Sequence, residues 1–187
     1  MYQLNDDCLL HIFKLLNIKD QLSLAQVSEQ FRYLIVSGIW SRRFRNISTH
    51  ETCFQSLSII EYKNFFQLNA ENIRILHIED TKHFAFTSYL NRYTNRPDFS
   101  FYFSLRMANL KELYCHDQRL HDGYIEMLSK YCPLLEIFHT ESTHITGAYM
   151  DHLPMLREAR MGDRIIKFER SYSQVPQIQP AVCILTN

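Results

Sequence analysis

The sequence predicts an α+β chain: a three-helix bundle over residues 1–45, then a short α/β solenoid with a parallel sheet on its concave side and helices on its convex side. Two observations carry this. Apolar residues recur with helical spacing through the first forty-odd positions. Further on, a skeleton Ile73-x-x-Leu76-x-Ile78 returns three times, which is how a stacked array of repeats is written in sequence.

In the first helix Leu9, Ile12, Phe13 and Leu16 fall at i, i+3, i+4 and i+7 on one stripe, with Asn5 or Asp6 available as the cap. Asp20 is placed to cap a second helix with Leu22, Leu24, Ala25 and Val27 facing inward. Phe31, Leu34 and Ile35 carry the pattern into a third, which closes on Trp40. A bundle of about 40 residues lies near the size below which a domain needs a disulfide, a metal or a partner. Leu9, Leu10, Ile12, Phe13, Leu15 and Leu16 cover more than one face of their helix. Part of that apolar surface is therefore expected to point outward as a docking surface.

The segment from Leu4 to Phe44 resembles an F-box. Leu4, Ile12-Phe13, Leu16, Asp20 with Leu22 nearby, Val27-Ser28, Phe31 and Ile39-Trp40 stand at the family's pattern positions, with Asn5 in place of its proline and Ser28 in place of its frequent cysteine. The resemblance implies binding to a Skp-type adaptor and, through it, to a cullin-RING ubiquitin ligase. Leu4, Leu9, Ile12, Phe13, Leu16, Leu22 and Trp40 are then the expected adaptor-binding residues. The competing expectation is an F-box scaffold that binds the adaptor but acts outside a ligase.

Residues 46–71 read as a helical bridging segment, a polar turn followed by Phe54, Leu57, Ile60 and Phe65 at helical spacing. Residues 72–163 hold about four repeats. The skeleton reappears at Leu110-x-x-Leu113-x-Cys115, Leu135-x-x-Phe138-x-Thr140 and Leu156-x-x-Ala159-x-Met161, at intervals of 37, 25 and 21 residues. Leu120, Tyr124 and Leu128 match Ile145, Tyr149 and Leu153 in register, so a helix is expected in both places, capped by Asp122 and Thr146. These repeats, with Tyr131-Cys132-Pro133-Leu134-Leu135 at a junction, resemble leucine-rich repeats of the cysteine-containing type found in F-box proteins.

The longest interval holds an aromatic insertion, residues 81–108, with Phe84, Phe86, Tyr89, Tyr93, Phe99, Phe101, Tyr102 and Phe103. Thr94 to Pro97 is a turn signal, and Asp98 can cap a helix running to Met107. The aromatics either pack the repeat core or project a substrate-gripping loop. Residues 164–187, with Val175 to Pro180 extended and Ala181 to Leu185 apolar, form a cap over the last repeat or a frayed tail.

Composition bounds the function. The chain has 187 residues, 46% apolar and 21% charged, and its formal charge sums to zero. Without a basic run, nucleic acid has no electrostatic claim as a partner. No apolar run reaches the length of a membrane span and no leader pattern opens the sequence, so no membrane is expected and the cytosol or nucleus is the expected location. Cys115, His116, Asp117, His121, Cys132 and His139 include residue types suited to zinc or to a Cys–His nucleophile. A hydrolase using Cys115 or Cys132 is thus a third function class. Cys115 sits at an inward strand position, Cys132 at a repeat junction, and no metal-ligand spacing is present. The expectation is no catalytic residue, no metal and no cofactor.

The alternation of a strand turns every second residue outward. Stacking the repeats in register places His77, Tyr114, His139 and Arg160 in one column. Glu79, His116, Glu141 and Gly162 form a second column, and Ile75, Glu112, Ile137 and Glu158 a third. His77, Tyr114, His116, His139 and Arg160 are the expected substrate-binding residues, centred on Tyr114 and His139. The alternative is an ordinary solvated sheet.

Overall fold

The computed structural model of the chain describes residues 4–79, 99–116, 120–168 and 183–185. Three helices open the chain: α1 (Asp6–Lys14), α2 (Ile18–Ala25) and α3 (Glu29–Tyr33). Each begins on a polar side chain that accepts from a backbone N–H in the first turn, the arrangement that satisfies otherwise orphaned donors. Asn5 caps α1 and Ser28 caps α3; α2 is capped by Asn17 rather than Asp20, which instead lies in the first turn and donates its N–H to Asn17 Oδ1 at 2.9 Å. After α3 the helix widens into a π-helix, Leu34–Trp40, continued by the three-residue α4 (Ser41–Arg43). Gly38 lies in the wide turn, where an added Cβ would stand 2.7 Å from Leu10 Cδ2.

One buried amide ties the bundle together. Gln21 is fully buried; its Nε2 donates to Phe13 O at 2.8 Å and to Leu16 O at 3.1 Å, and its Oε1 accepts from Trp40 Nε1 at 2.8 Å. α2 thereby holds the last turn of α1 and the end of the π-helix at once. Around this node Phe13 meets Phe31 edge-on at 5.0 Å, and Trp40 meets Phe65 at 4.9 Å.

The bridging segment is not wholly helical. It starts with strand β1 (Asn46–Ser48), passes a 3-10 turn, Thr52–Phe54, and ends in α5 (Ile59–Asn69), whose first turn is closed by a reciprocal Ser58–Glu61 capping box. Phe54, Leu57 and Phe65 are buried as expected, whereas Ile60 is 69% exposed because the inward face of α5 is Tyr62, Phe65, Phe66 and Asn69.

β1, β2 (Ile75–Ile78), β3 (Glu112–Cys115), β4 (Ile137–Thr140) and β5 (Glu158–Met161) lie side by side, all parallel and in chain order. α5, α6 (Phe99–Phe103) and α7 (Asp122–Tyr131) lie in the connections between consecutive strands. Leu76, Leu113, Phe138 and Ala159 are buried beneath the sheet in one row, and Ile78, Cys115, Thr140 and Met161 in the next. Thr140 can stand among apolar residues because its Oγ1 accepts from Ser142 N at 3.1 Å.

The wholly parallel sheet predicted above is corrected at its far end. β6 (Arg164–Phe168) and β7 (Cys183–Leu185) are antiparallel, giving a mixed sheet of seven strands among the described residues. The reversal is the two-residue turn Gly162-Asp163, with Gly162 at φ 57°, where a side chain would be strained. A second correction concerns the helix expected through Ile145, Tyr149 and Leu153. Ile145 and Leu153 are buried, but only a 3-10 turn, Met150–His152, forms. Gly147 at φ 95° interrupts this stretch, and no helix interior accepts that angle.

A third correction is the cap of α7, which is His121, its Nδ1 accepting from Gly123 N at 3.2 Å. Asp122 reaches the next connection instead and accepts from Thr146 N at 3.0 Å and from Thr146 Oγ1 at 2.7 Å. In the aromatic insertion, Tyr102 and Phe103 are buried, and Tyr102 meets Tyr62 through their hydroxyls at 2.9 Å. Phe84, Phe86, Tyr89, Tyr93 and the Thr94–Pro97 turn with Asp98 lie outside the described residues.

Candidate functional site

Two surfaces are candidates, one on the bundle and one on the sheet. On the bundle, α1 divides its apolar residues between two faces. Leu9, Phe13 and Leu16 turn inward, with Phe13 only 4% exposed against Phe31. Cys8, Ile12 and Leu15, at i, i+4 and i+7, are exposed together, Ile12 by 45% and Leu15 by 82%, and Leu4, just ahead of the extended Asn5 cap, is exposed as well. Val27 and Tyr33 are large apolar side chains also left to solvent on the bundle. Burying a stripe like this against another polypeptide is worth about 1.5 to 3 kcal/mol for each large side chain.

This division sorts the expected adaptor-binding residues by exposure. Phe13, Leu22 and Trp40 lie inside the chain's own core because the Gln21 node draws α1, α2 and the π-helix together over them. Leu9 and Leu16 pack partly against that core. Leu4 and Ile12 remain on the surface, joined by Cys8 and Leu15, which the residue-by-residue expectation left out. Their helical spacing was the signal that could have found them.

On the sheet, the register places His77 beside Tyr114, Tyr114 beside His139 and His139 beside Arg160, the expected central column. The His77 and Tyr114 rings stack, with centroids 4.4 Å apart and planes at 5°, while His139 meets Tyr114 edge-on at 5.1 Å. Each ring is tied to a carboxylate or to a second ring. Tyr114 Oη donates to Glu112 Oε2 at 2.8 Å, and His139 Nε2 lies 2.9 Å from Glu158 Oε1. Burial, then the Glu112 hydrogen bond, then the charges of Glu112 and Glu158 push the Tyr114 phenol up to about 12.

In the second column His116 Nδ1 pairs with Glu141 Oε1 at 3.0 Å. Glu79, expected on its other side, instead meets His50 Nε2 at 3.0 Å and accepts from Ser48 Oγ at 3.2 Å. The cause is β1, which was not foreseen as a strand and brings Ser48 level with His77. Arg160 is exposed and donates through Nε to Gly162 O at 3.4 Å. The face therefore presents an aromatic column flanked by carboxylates.

Cys115 and Cys132 are both buried, and burial pushes the Cys132 thiol up to about 12, far from the thiolate a nucleophile requires. His116 follows Cys115 in an extended strand run, so the two side chains leave opposite faces of the sheet. Asp117 lies outside the described residues. Among the described residues no three His, Cys, Asp or Glu side chains are grouped to hold a metal ion, and no helix is long and apolar enough to cross a membrane.

Against known proteins, no curated sequence matches the chain. Residues 1–38, which hold α1 to α3 and most of the π-helix, match the model of the F-box domain, so an F-box domain is found at the head of this chain.

Proposed function

We propose that this protein is the substrate-recognition adapter of a Skp–cullin–F-box ubiquitin ligase. In this reading the F-box binds a Skp-type adaptor and the repeats hold a target protein for ubiquitination and proteasomal degradation. The strand–connection units from β2 to β5 are read as short leucine-rich repeats, and the His77–Tyr114–His139–Arg160 column with His116 as the target-binding face. The chain itself is non-catalytic, and acts in the cytosol or nucleus by holding two proteins at a fixed separation.

The observation that carries the proposal is the exposed stripe Leu4, Cys8, Ile12 and Leu15 within a segment that matches the F-box domain. An apolar stripe on a bundle that already has its own buried core has no internal use.

The test is co-purification of the full chain with a Skp-type adaptor and cullin. Leu15→Asp, on a side chain that is almost wholly exposed, should lose the adaptor while the melting temperature stays within a few degrees of wild type. Tyr114→Ala with His139→Ala should retain the adaptor and lose the target. Retention of the adaptor by Leu15→Asp would overturn the docking assignment. Adaptor binding with no target accumulating when the protein is removed from cells would favour a scaffold outside a ligase.

A further inference from the structure

Glu112 and Glu158, two carboxylates on the sheet face, form no ion pair with a lysine or arginine among the described residues. Glu112 on β3 and Glu158 on β5 stand on either side of Ile137 on β4, in direct register. Two strand spacings separate their backbones, roughly 10 Å, the width of one extended side chain lying between them. The basic residues next to them in sequence, Lys111 and Arg157, both turn to Glu136: Lys111 Nζ is 2.7 Å from Oε1 and Arg157 Nη1 is 3.5 Å from Oε2. Lys167, level with Glu158 on β6, and Arg160 on β5 make no ion pair with Glu112 or Glu158 among the described residues.

The partners these two carboxylates do have are a phenol and an imidazole, on Glu112 Oε2 and Glu158 Oε1. The hydroxyl donor orients Glu112 without cancelling its charge, and each carboxylate keeps a second oxygen unclaimed among the described residues. The Tyr114 phenol is raised first by burial, with the Glu112 hydrogen bond and the charges of both carboxylates adding to it. Half-buried Ile137 supplies an apolar floor between them.

Resting on the reading of this face as the target-binding surface, we propose that it recognises a basic, extended peptide segment. A lysine or arginine of that segment lays its aliphatic stem on Ile137 and sets its charged head between Glu112 and Glu158. Long cationic side chains bury their methylenes while keeping the charge at a polar edge, and this notch offers both halves of that arrangement.

The experiment uses the full chain and a fluorescent six-residue peptide of alternating lysine and alanine, with norleucine in place of lysine as the neutral control, read by anisotropy. The lysine peptide should bind and the norleucine peptide should not. Glu112→Gln with Glu158→Gln should weaken the lysine peptide at least tenfold, and Glu126→Gln, on the exposed side of α7, less than twofold; circular dichroism checks that each variant is folded. Equal weakening by Glu126→Gln, or no weakening by the Glu112/Glu158 pair, would overturn the proposal. The outcomes also separate this notch from the face that carries it. If the Glu→Gln pair binds unchanged while Tyr114→Ala with His139→Ala does not, the face stands and its basic ligand falls. If both pairs bind unchanged, both fall.

Discussion

Gln21→Ala is the substitution that most directly tests how the bundle is held. It removes the donor to Phe13 O and Leu16 O and the acceptor of Trp40 Nε1 in one step. The indole N–H, buried with no other hydrogen-bond partner among the described residues, then carries an unsatisfied-donor cost of about 1 to 3 kcal/mol. Loss of side-chain volume from a site with no solvent exposure adds about 1 to 2 kcal/mol. The sum, about 2 to 5 kcal/mol, is a large part of the ~5–15 kcal/mol that holds a typical domain. Gln21→Met keeps most of the volume and loses only the hydrogen bonds, so about 1 to 3 kcal/mol is expected. The chain has one tryptophan, Trp40 itself, and its fluorescence through a urea titration reads this region directly. If both variants unfold within about 1 kcal/mol of wild type, the amide is not the fastener described here.

Phe13→Ala should cost about 3 to 5 kcal/mol in the same titration, while Ile12→Ala, one position away on the open side, should cost less than about 1 kcal/mol. Similar costs for both would contradict the division of α1 into two faces. Iodoacetamide at pH 8 should label exposed Cys8 first, with Cys53, whose thiol burial and the nearby Glu51 charge push up to about 11, much slower. Cys132 should label only on unfolding, which peptide mass mapping over time would show. Acid should weaken the fold through Glu61 and Glu136. The Ser58 backbone N–H holds the Glu61 carboxyl below its usual range, and the Lys111 hydrogen bond does so for Glu136. Because both are lower in the folded chain, their contribution is present above the unfolded carboxylate value of about 4.3 and is lost as pH falls below it. Glu136→Gln should flatten the acid limb of a stability–pH curve, and an unchanged limb would contradict this.

Where the sequence repeated itself, the structure followed it closely. The Ile73, Leu110, Leu135 and Leu156 skeletons became β2 to β5 with the expected register, because inward and outward residues alternate strictly and a slip by one would bury Tyr114 and expose Leu113. β1 was not legible: Asn46-Ile47-Ser48 has a single apolar residue, Ile47, and pairs only because α5 returns the chain to it. The end of the parallel run was legible but overlooked. Met161-Gly162-Asp163-Arg164 carries the two-residue hairpin signal, but the expectation for residues 164–187 was only a cap or a frayed tail. On the bundle, the periodic residues gave the helices correctly and their orientation wrongly. Leu9, Ile12, Phe13 and Leu16 span a wide arc, and periodicity alone does not say which flank of that arc a neighbour covers. The polar Gln21, which decides it, carries no hydropathic signal at all.

The passage from bundle to sheet leaves no slack. α4 ends at Arg43, β1 starts at Asn46, and across that join Asn69 Nδ2 donates to Phe44 O at 3.0 Å and Asn72 Nδ2 to Val36 O at 3.1 Å. A flexible tether would spread a cargo on the strands over a cloud of positions relative to whatever grips the outer stripe of α1. This joint acts instead as a bracket. If the chain is the ligase adapter proposed above, reach and heading are set at folding, and only cargo whose modifiable groups fall along that one line of approach would be presented.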